Sequence, residues 1–351
     1  MSKTRVLVAD DSSLIRSAIT DVLEESGDFE VVAEAASGIE TLMLARRVDP
    51  DIISLDVEMP RIDGLGVLTR LMRSQPTKVV LVSSHTAIGA DVTLEGLSLG
   101  AIDFVPKASV GEPFEHFAGR LLHVFRTVQA AQTPGLRTIA ADDGLPVSTI
   151  SDGLRMPAVV GVAASTGGPD ALNRFFGAFT QRPPVPFLVV QHMPATFTNR
   201  LASRLDRIGP LAILEATDGV PLEAGVAFVA PGDHHIVSRD GVVVFDDHPP
   251  IGGLKPRADI TFESLAVDHG PGALGVILTG MGDDGLKGAS SIVQEGGQTV
   301  AQDETSATID GMPRRIREAG LAIASGPPEQ LAVAIENTWT NVTTSLAGRA
   351  Q

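Results

Sequence analysis

The chain has 351 residues, no cysteine and a formal net charge of −16, so it is long enough for two domains and excludes disulfides and thiolate metal sites. The charge is shared: residues 1–126 carry 19 acidic and 12 basic side chains, leaving 24 and 15 for the remainder. That balance argues against a nucleic-acid partner, which needs Lys/Arg patches to neutralise phosphates, and the lack of a signal region or of an 18-residue apolar run predicts a cytoplasmic protein without membrane insertion.

In chain order, apolar runs at Arg5–Ala9, Val31–Ala35, Ile52–Leu55, Val79–Val82 and Ile102–Val105 read as strands. Segments of helical periodicity separate them, among them Leu14–Leu23, Thr41–Val48 and Leu65–Met72. Five alternations of strand and helix imply a parallel sheet with right-handed crossovers, whose ligand site forms outside the carboxyl ends of the strands. Asp10, Asp11, Asp56, Ser84 and Lys107 all fall at that edge. Three carboxylates offer hard oxygen ligands to Mg2+, which also takes phosphate oxygens, and an aspartate can accept a phosphoryl group as nucleophile. Lys107 and the Ser84 hydroxyl would stabilise the added charge. Any one of these residues alone reads equally well as turn chemistry or a solvated side chain; the set of five in this order does not.

The stretches Asp56-Val57-Glu58-Met59-Pro60-Arg61-Ile62-Asp63-Gly64 and Asp103-Phe104-Val105-Pro106-Lys107 closely resemble response-regulator receiver domains over about residues 1–126. The resemblance implies that Asp56 is the phospho-acceptor and that Asp11 and Asp56 are metal ligands, with help from Asp10 and the Glu58 backbone carbonyl. It makes Ser84 the switch hydroxyl and Phe104 the switch aromatic, with Lys107 in the same switch. The receiver resemblance implies a histidine kinase as phosphodonor.

Helix-like sequence from Glu112 to about Gln132 closes this first unit, and Thr133–Met156 then loses periodicity and gains Pro, Gly, Ser and Asp. The expected division is a receiver at 1–126, a linker at 127–156 and a second domain at 157–345. Beyond the linker alternation resumes, with strands expected at Ala158–Ala163, Phe187–Val190, Ala227–Ala230, Leu274–Leu278 and Thr299–Ala301. Helices are expected at Pro169–Phe179, Phe197–Arg207, Thr261–Val267, Leu286–Gln294 and Pro313–Glu318, and His235–Phe245 reads as a β-hairpin turning at Asp240-Gly241. The fold class is therefore α/β, with two doubly wound parallel-sheet domains and an antiparallel hairpin inserted in the second.

Three glycine-rich or polar stretches follow strands in the second domain. Ala163-Ala164-Ser165-Thr166-Gly167-Gly168-Pro169 runs from strand to helix and could cradle a phosphate or expose Ser165 as a nucleophile. A base for that serine is offered by His192 in Gln191-His192-Met193-Pro194, or by His234 or His235. A carboxylate comes from Leu278-Thr279-Gly280-Met281-Gly282-Asp283-Asp284-Gly285, which reads equally as a helix cap or a metal site.

These three stretches, in this order after a receiver, closely resemble the chemotaxis response-regulator protein-glutamate methylesterase family over nearly the whole chain. The resemblance implies Ser165 as nucleophile, His192 as general base and Asp284 as acid, with Thr166 supporting the serine and a Met281 backbone N–H in the oxyanion hole. It implies a phosphorylation-activated hydrolase that removes methyl esters from glutamates of methyl-accepting chemoreceptors and deamidates receptor glutamines. Mg2+ would be needed at the receiver and no cofactor for hydrolysis. There are departures: Lys255-Pro256-Arg257-Ala258-Asp259 has Arg257 where a serine is expected, and the linker at Thr133–Met156 is not family-like. The rival readings are a receiver-regulated hydrolase of another ester and a phospho-switched binding module with an inactive esterase domain.

Overall fold

The structure is a computed structural model that describes residues 3–84, 86–109, 111–131 and 153–347. Its contacts divide the chain into two compact units at residues 138/139. Most of the expected linker lies outside the described residues.

The first unit alternates β1 (Thr4–Ala9), α1 (Ser13–Glu25), β2 (Phe29–Ala35), α2 (Gly38–Val48), β3 (Ile52–Asp56), α3 (Gly64–Ser74), β4 (Lys78–Ser83), α4 (Ala87–Ser98), β5 (Asp103–Pro106) and α5 (Phe114–Gln129). Its strands form one parallel sheet in the order β2-β1-β3-β4-β5. The sequence explains where the helices begin. Ser12, Ser37, Asp63 and Thr86 each accept a backbone N–H of the first turn, satisfying a donor that the helix itself leaves free. Helix α5 continues three residues past position 126, so the first unit's last helix crosses the boundary drawn from sequence.

The second unit contains β6 (Val159–Ala164), α6 (Gly168–Gly177), β7 (Phe187–Gln191), α7 (Ala195–Leu205), β8 (Ala212–Glu215), β9 (Val220–Pro221), β10 (Val226–Val229), β11 (His235–Arg239) and β12 (Val242–Asp246). It continues with α8 (Ala258–His269), β13 (Ala273–Ile277), α9 (Leu286–Gln294), β14 (Gln298–Gln302), α10 (Met312–Glu318), β15 (Ala322–Gly326) and α11 (Pro328–Ala347). Seven parallel strands stand in the order β15-β14-β13-β6-β7-β10-β8, so the chain winds outward in both directions from β6. The crevice at that reversal, between β6 and its neighbour β13, is where an open α/β sheet binds ligands. Strands β6, β7 and β13 are buried along their whole length, as expected of parallel strands covered on both faces.

The expected hairpin is present. β11 and β12 pair antiparallel and are joined by Asp240 (φ 52°) and Gly241 (φ 74°), both in the left-handed region that a two-residue turn demands. β9 adds a third, short strand on β12. Strands β8, β9 and β15 and helix α11 have no counterpart among the sequence expectations. Helix α11 docks through Trp339, whose ring stacks on Phe179 with centroids 6.0 Å apart, and Phe179 in turn packs edge-on against Phe175 and Phe187. Such aromatic pairs contribute roughly 0.5–1.5 kcal/mol each beyond their buried area.

Two candidate functional sites

At the carboxyl edge of the first sheet, Asp10, Asp11 and Asp56 each bring a carboxylate oxygen to within 4.8 Å of the others. Asp10 and Asp56 are buried and Asp11 is exposed. Lys107 Nζ bridges the two buried acids, 2.9 Å from Asp10 Oδ2 and 2.9 Å from Asp56 Oδ1. Asp56 Oδ1 also accepts the Glu58 backbone N–H at 3.2 Å, while Asp56 Oδ2 has no hydrogen-bond partner. Burial pushes the Asp56 carboxyl up to about 6; Lys107 opposes that rise and the charge of Asp10 adds to it. Burial alone would lower Lys107, but Asp56 and then Asp10 hold its ammonium above the usual range. The Ser84 hydroxyl donates to Glu58 Oε1 at 3.1 Å, and Phe104 is buried at 7% exposure. Asp10, Asp11, Asp56, Glu58, Ser84 and Lys107 are therefore gathered at one sheet edge, and Phe104 lies within β5.

The second site lies at the carboxyl ends of β13, β6 and β7, three adjacent strands. Ser165 follows β6, and its backbone N–H donates to the Thr279 carbonyl, extending the β6–β13 ladder past the end of both strands. Gly167, at φ 76°, then turns the chain into α6 with Pro169 in its first turn. His192 follows β7 and remains tied to β6 through its backbone N–H to Ala164. Asp284 follows β13 in the glycine-rich loop. A side chain at Gly280 would stand 2.7 Å from Ser165 Cβ and 2.3 Å from Met312 Sδ, so only glycine lets this loop lie against the serine.

His192 Nε2 meets Asp284 Oδ2 at 2.7 Å. The same carboxylate accepts backbone N–H groups from Ala258 (2.8 Å), Asp259 (3.0 Å) and Gly285 (2.9 Å). Burial by itself would raise this acid, but the hydrogen bond and charge of His192, followed by the Ala258 and Asp259 amides, hold it below the usual carboxylate range. It is Nε2 rather than Nδ1 that meets the carboxylate, the reverse of the assignment in the trypsin-type triad. Among the described residues Ser165 Oγ makes no hydrogen bond, which is common before substrate tightens a catalytic array.

The two adjacent acids separate sharply: the Asp284 side chain is 2% exposed and that of Asp283 is 70% exposed. The histidines separate as well. His234 packs on Phe245 with centroids 4.5 Å apart, and His235 Nδ1 accepts the Arg257 backbone N–H at 3.0 Å, whereas His192 alone of the three meets Asp284. Thr166 lies half-buried beside the serine, its carbonyl accepting from the Thr279 hydroxyl at 3.0 Å, and Met281 is exposed on the loop.

Sequence reasoning passed over three residues of this site. Gln191, buried at the end of β7, donates through Nε2 to the carbonyls of Ser165 (2.9 Å) and His192 (3.1 Å), tying the two loops together. Asp259 accepts the N–H groups of Gly285 and Gly288 and so anchors the acid-bearing loop. Arg257 reaches both Asp259 and Asp284. A polar side chain at the inner end of an otherwise apolar strand was the available signal for Gln191; the other two had none beyond the departure at Arg257.

Comparison with known proteins now bears on a defined arrangement, an α/β unit with an Asp–His pair at its switch point, preceded by a second α/β unit with an acidic sheet edge. Residues 6–113 match the response regulator receiver domain, and residues 160–335 match the CheB methylesterase family. The chain belongs to the CheB methylesterase family. It is 39% identical to a protein-glutamate methylesterase/protein-glutamine glutaminase of Symbiobacterium thermophilum, over 94% of this chain and 96% of that one. It is 40% identical to a second protein of that name from Pseudomonas aeruginosa, over 94% and 95%. A crystal structure of the Thermotoga maritima CheB methylesterase catalytic domain is 36% identical, covering 51% of this chain and 98% of its own, with a TM-score of 0.49.

Proposed function

We propose that the chain is a phosphorylation-activated protein-glutamate methylesterase that also deamidates glutamine, acting on methyl-accepting chemoreceptors and receiving its phosphoryl group from a chemotaxis histidine kinase. The names of its relatives support the reaction. The observation that carries the site assignment is the 2.7 Å contact between His192 and Asp284 beside Ser165, at the point where the second sheet reverses its winding.

In this reading Ser165 Oγ attacks the γ-ester carbonyl while His192 takes the hydroxyl proton on Nδ1, and Asp284 holds the resulting imidazolium. The carbonyl oxygen becomes an oxyanion, which the Met281 backbone N–H and the region of Thr166 stabilise. Collapse breaks the carbon–methoxy bond, and the imidazolium returns its proton to the leaving oxygen, giving methanol and a glutamyl-serine ester. Water, deprotonated by the same imidazole, then releases glutamate and regenerates Ser165. With glutamine the first leaving group is ammonia instead, and the second half is the same.

At the receiver edge the donor set suits Mg2+: three carboxylates within reach of one another, and a buried Asp56 oxygen with no partner of its own. Asp10, Asp11, Asp56 and the Glu58 carbonyl would hold the ion, which supplies neutralisation of phosphate charge. Asp56 accepts the phosphoryl group, and Lys107, Ser84 and Phe104 register it. The receiver ends with α5 and the hydrolase begins with β6, separated by the segment around 130–156. No helix among the described residues is long and apolar enough to cross a membrane. The cytoplasm is the compartment this function requires.

The test is methanol release from methylated receptor membranes by the full chain, with and without a small phosphodonor plus Mg2+. The wild type should release methanol faster with the donor. Ser165→Ala should be inactive, and adding His192→Ala should cost little more, because triad members act as a unit. Additive losses, or a Ser165→Ala variant that still turns over, would refute the assignment.

A further inference from the structure

Arg257 stands where the family resemblance leads one to expect a serine, and its guanidinium lies on the acid of the hydrolytic site. Its Nε is 3.3 Å from Asp284 Oδ1, the oxygen opposite the one that meets His192. Nε and Nη2 donate to Asp259 Oδ2 at 3.2 and 3.0 Å, Nη1 donates to the Ile251 carbonyl at 3.1 Å, and Nη2 lies 4.0 Å from Asp283 Oδ1. The side chain is only 16% exposed. It is thus held on several sides, in the planar, multidentate manner that a lysine cannot reproduce.

The charges around it explain what it does. Asp259 at the start of α8 and Asp283 and Asp284 in the loop after β13 all face the guanidinium, and Asp259 and Asp284 share the Gly285 N–H. From β11 the neighbour is His235, whose Nδ1 accepts the Arg257 N–H, and Lys287 on α9 is paired with Glu263. Arg257 is therefore a cation set among Asp259, Asp283 and Asp284, the last of which meets the imidazole. Without it the charges of Asp259 and Asp283 would add unopposed to that of Asp284, and an imidazolium formed beside Asp284 during hydrolysis would be held more tightly.

We propose that Arg257 is a positioning residue for hydrolysis: it orients the Asp284 carboxylate that meets His192 and offsets the negative charge gathered there. This rests on the assignment of Ser165, His192 and Asp284 made above. Unit charges a few ångströms apart at a partly buried site commonly displace a titration by about one pH unit.

The experiment is a pH profile of kcat/KM for methanol release, using the full chain with phosphodonor and Mg2+, for wild type, Arg257→Gln, Arg257→Lys and Ser165→Ala. In Arg257→Gln the acid limb should move up by about one pH unit, with the high-pH plateau within about tenfold of wild type. Arg257→Lys keeps the charge and loses the fork, so its limb should stay near the wild-type position while its plateau falls. It also covers the case in which the glutamine variant does not fold. A uniform loss at every pH with an unmoved limb in Arg257→Gln would overturn the proposal, as would a lysine variant whose limb moves up by about one unit. If Ser165→Ala is inactive and the limb is unmoved, the role of Arg257 fails alone; if Ser165→Ala remains active, the hydrolytic assignment itself fails.

Discussion

Asp56 and Asp284 are both buried aspartates at the carboxyl edge of a parallel sheet, yet their surroundings drive them in opposite directions. Asp56 receives one backbone N–H and one ammonium, keeps an oxygen without a partner, and is raised to about 6 by burial. Asp284 receives three backbone N–H groups, an imidazole and a guanidinium, and is held low although it is as fully buried. An acid that must bind an ion and accept a phosphoryl group needs lone pairs left open. An acid whose task is to orient a histidine has them filled. The number of donors aimed at a carboxylate, more than its burial, distinguishes the two proposed roles.

The largest expected effect comes from unbalancing the second site. Asp284→Asn preserves volume and removes the charge, and should reduce turnover by about 10^4-fold on the precedent of the trypsin-type triad. The same variant tests stability. Because the folded-state value of Asp284 lies below its unfolded one, its ionised form stabilises the fold above about pH 4, and that contribution is lost as pH falls through the folded value. Denaturant unfolding of the full chain from about pH 5 to pH 2 should therefore fall less steeply with acid in Asp284→Asn than in wild type. Parallel slopes would mean that its donors do not favour the charged form.

Gly280→Ala probes the closeness of the loop to the serine. The added carbon would push on Ser165 and Met312, and a displacement of about 1 Å at a reacting group costs roughly 10^2-fold in kcat. Full activity would show that the loop yields without disturbing the nucleophile.

At the first site, Asp56→Asn removes the proposed phospho-acceptor, so that phosphodonor and Mg2+ should no longer stimulate methanol release. The stimulation lost should lie in the range of roughly 5–150-fold typical of coupled sites. Retained stimulation would place the acceptor elsewhere. The smallest effect is expected from Asp283→Asn, whose side chain is largely exposed and lies 4.0 Å from Arg257; turnover should stay within a few-fold of wild type. If Asp283→Asn were the severe variant and Asp284→Asn the mild one, the contrast drawn between Asp56 and Asp284 would have to be rebuilt on the neighbouring residue.

Much of this was determined by the sequence alone, because parallel strands buried on both faces read as apolar runs and the residues that end them read as polar punctuation. Asp10, Asp56, Ser165, His192 and Asp284 all stand one to seven residues beyond, or at the last position of, a strand core that periodicity located. The elements that escaped notice are edge elements. Strands β8 and β15 close the two ends of the second sheet with half-exposed, mixed sequence, and β9 is two residues long, so none carries a distinct pattern. Composition and spacing did not separate Asp283 from Asp284, neighbours of identical chemistry that only the family resemblance told apart; the tertiary structure gives the physical difference, enclosing Asp284 with the amides of Ala258, Asp259 and Gly285. It alone brought Arg257, 27 residues away in sequence, onto that carboxylate. The reason is physical: strand and helix follow from local periodicity, whereas the strength of a charge depends on donors and counter-charges that distant segments supply on folding.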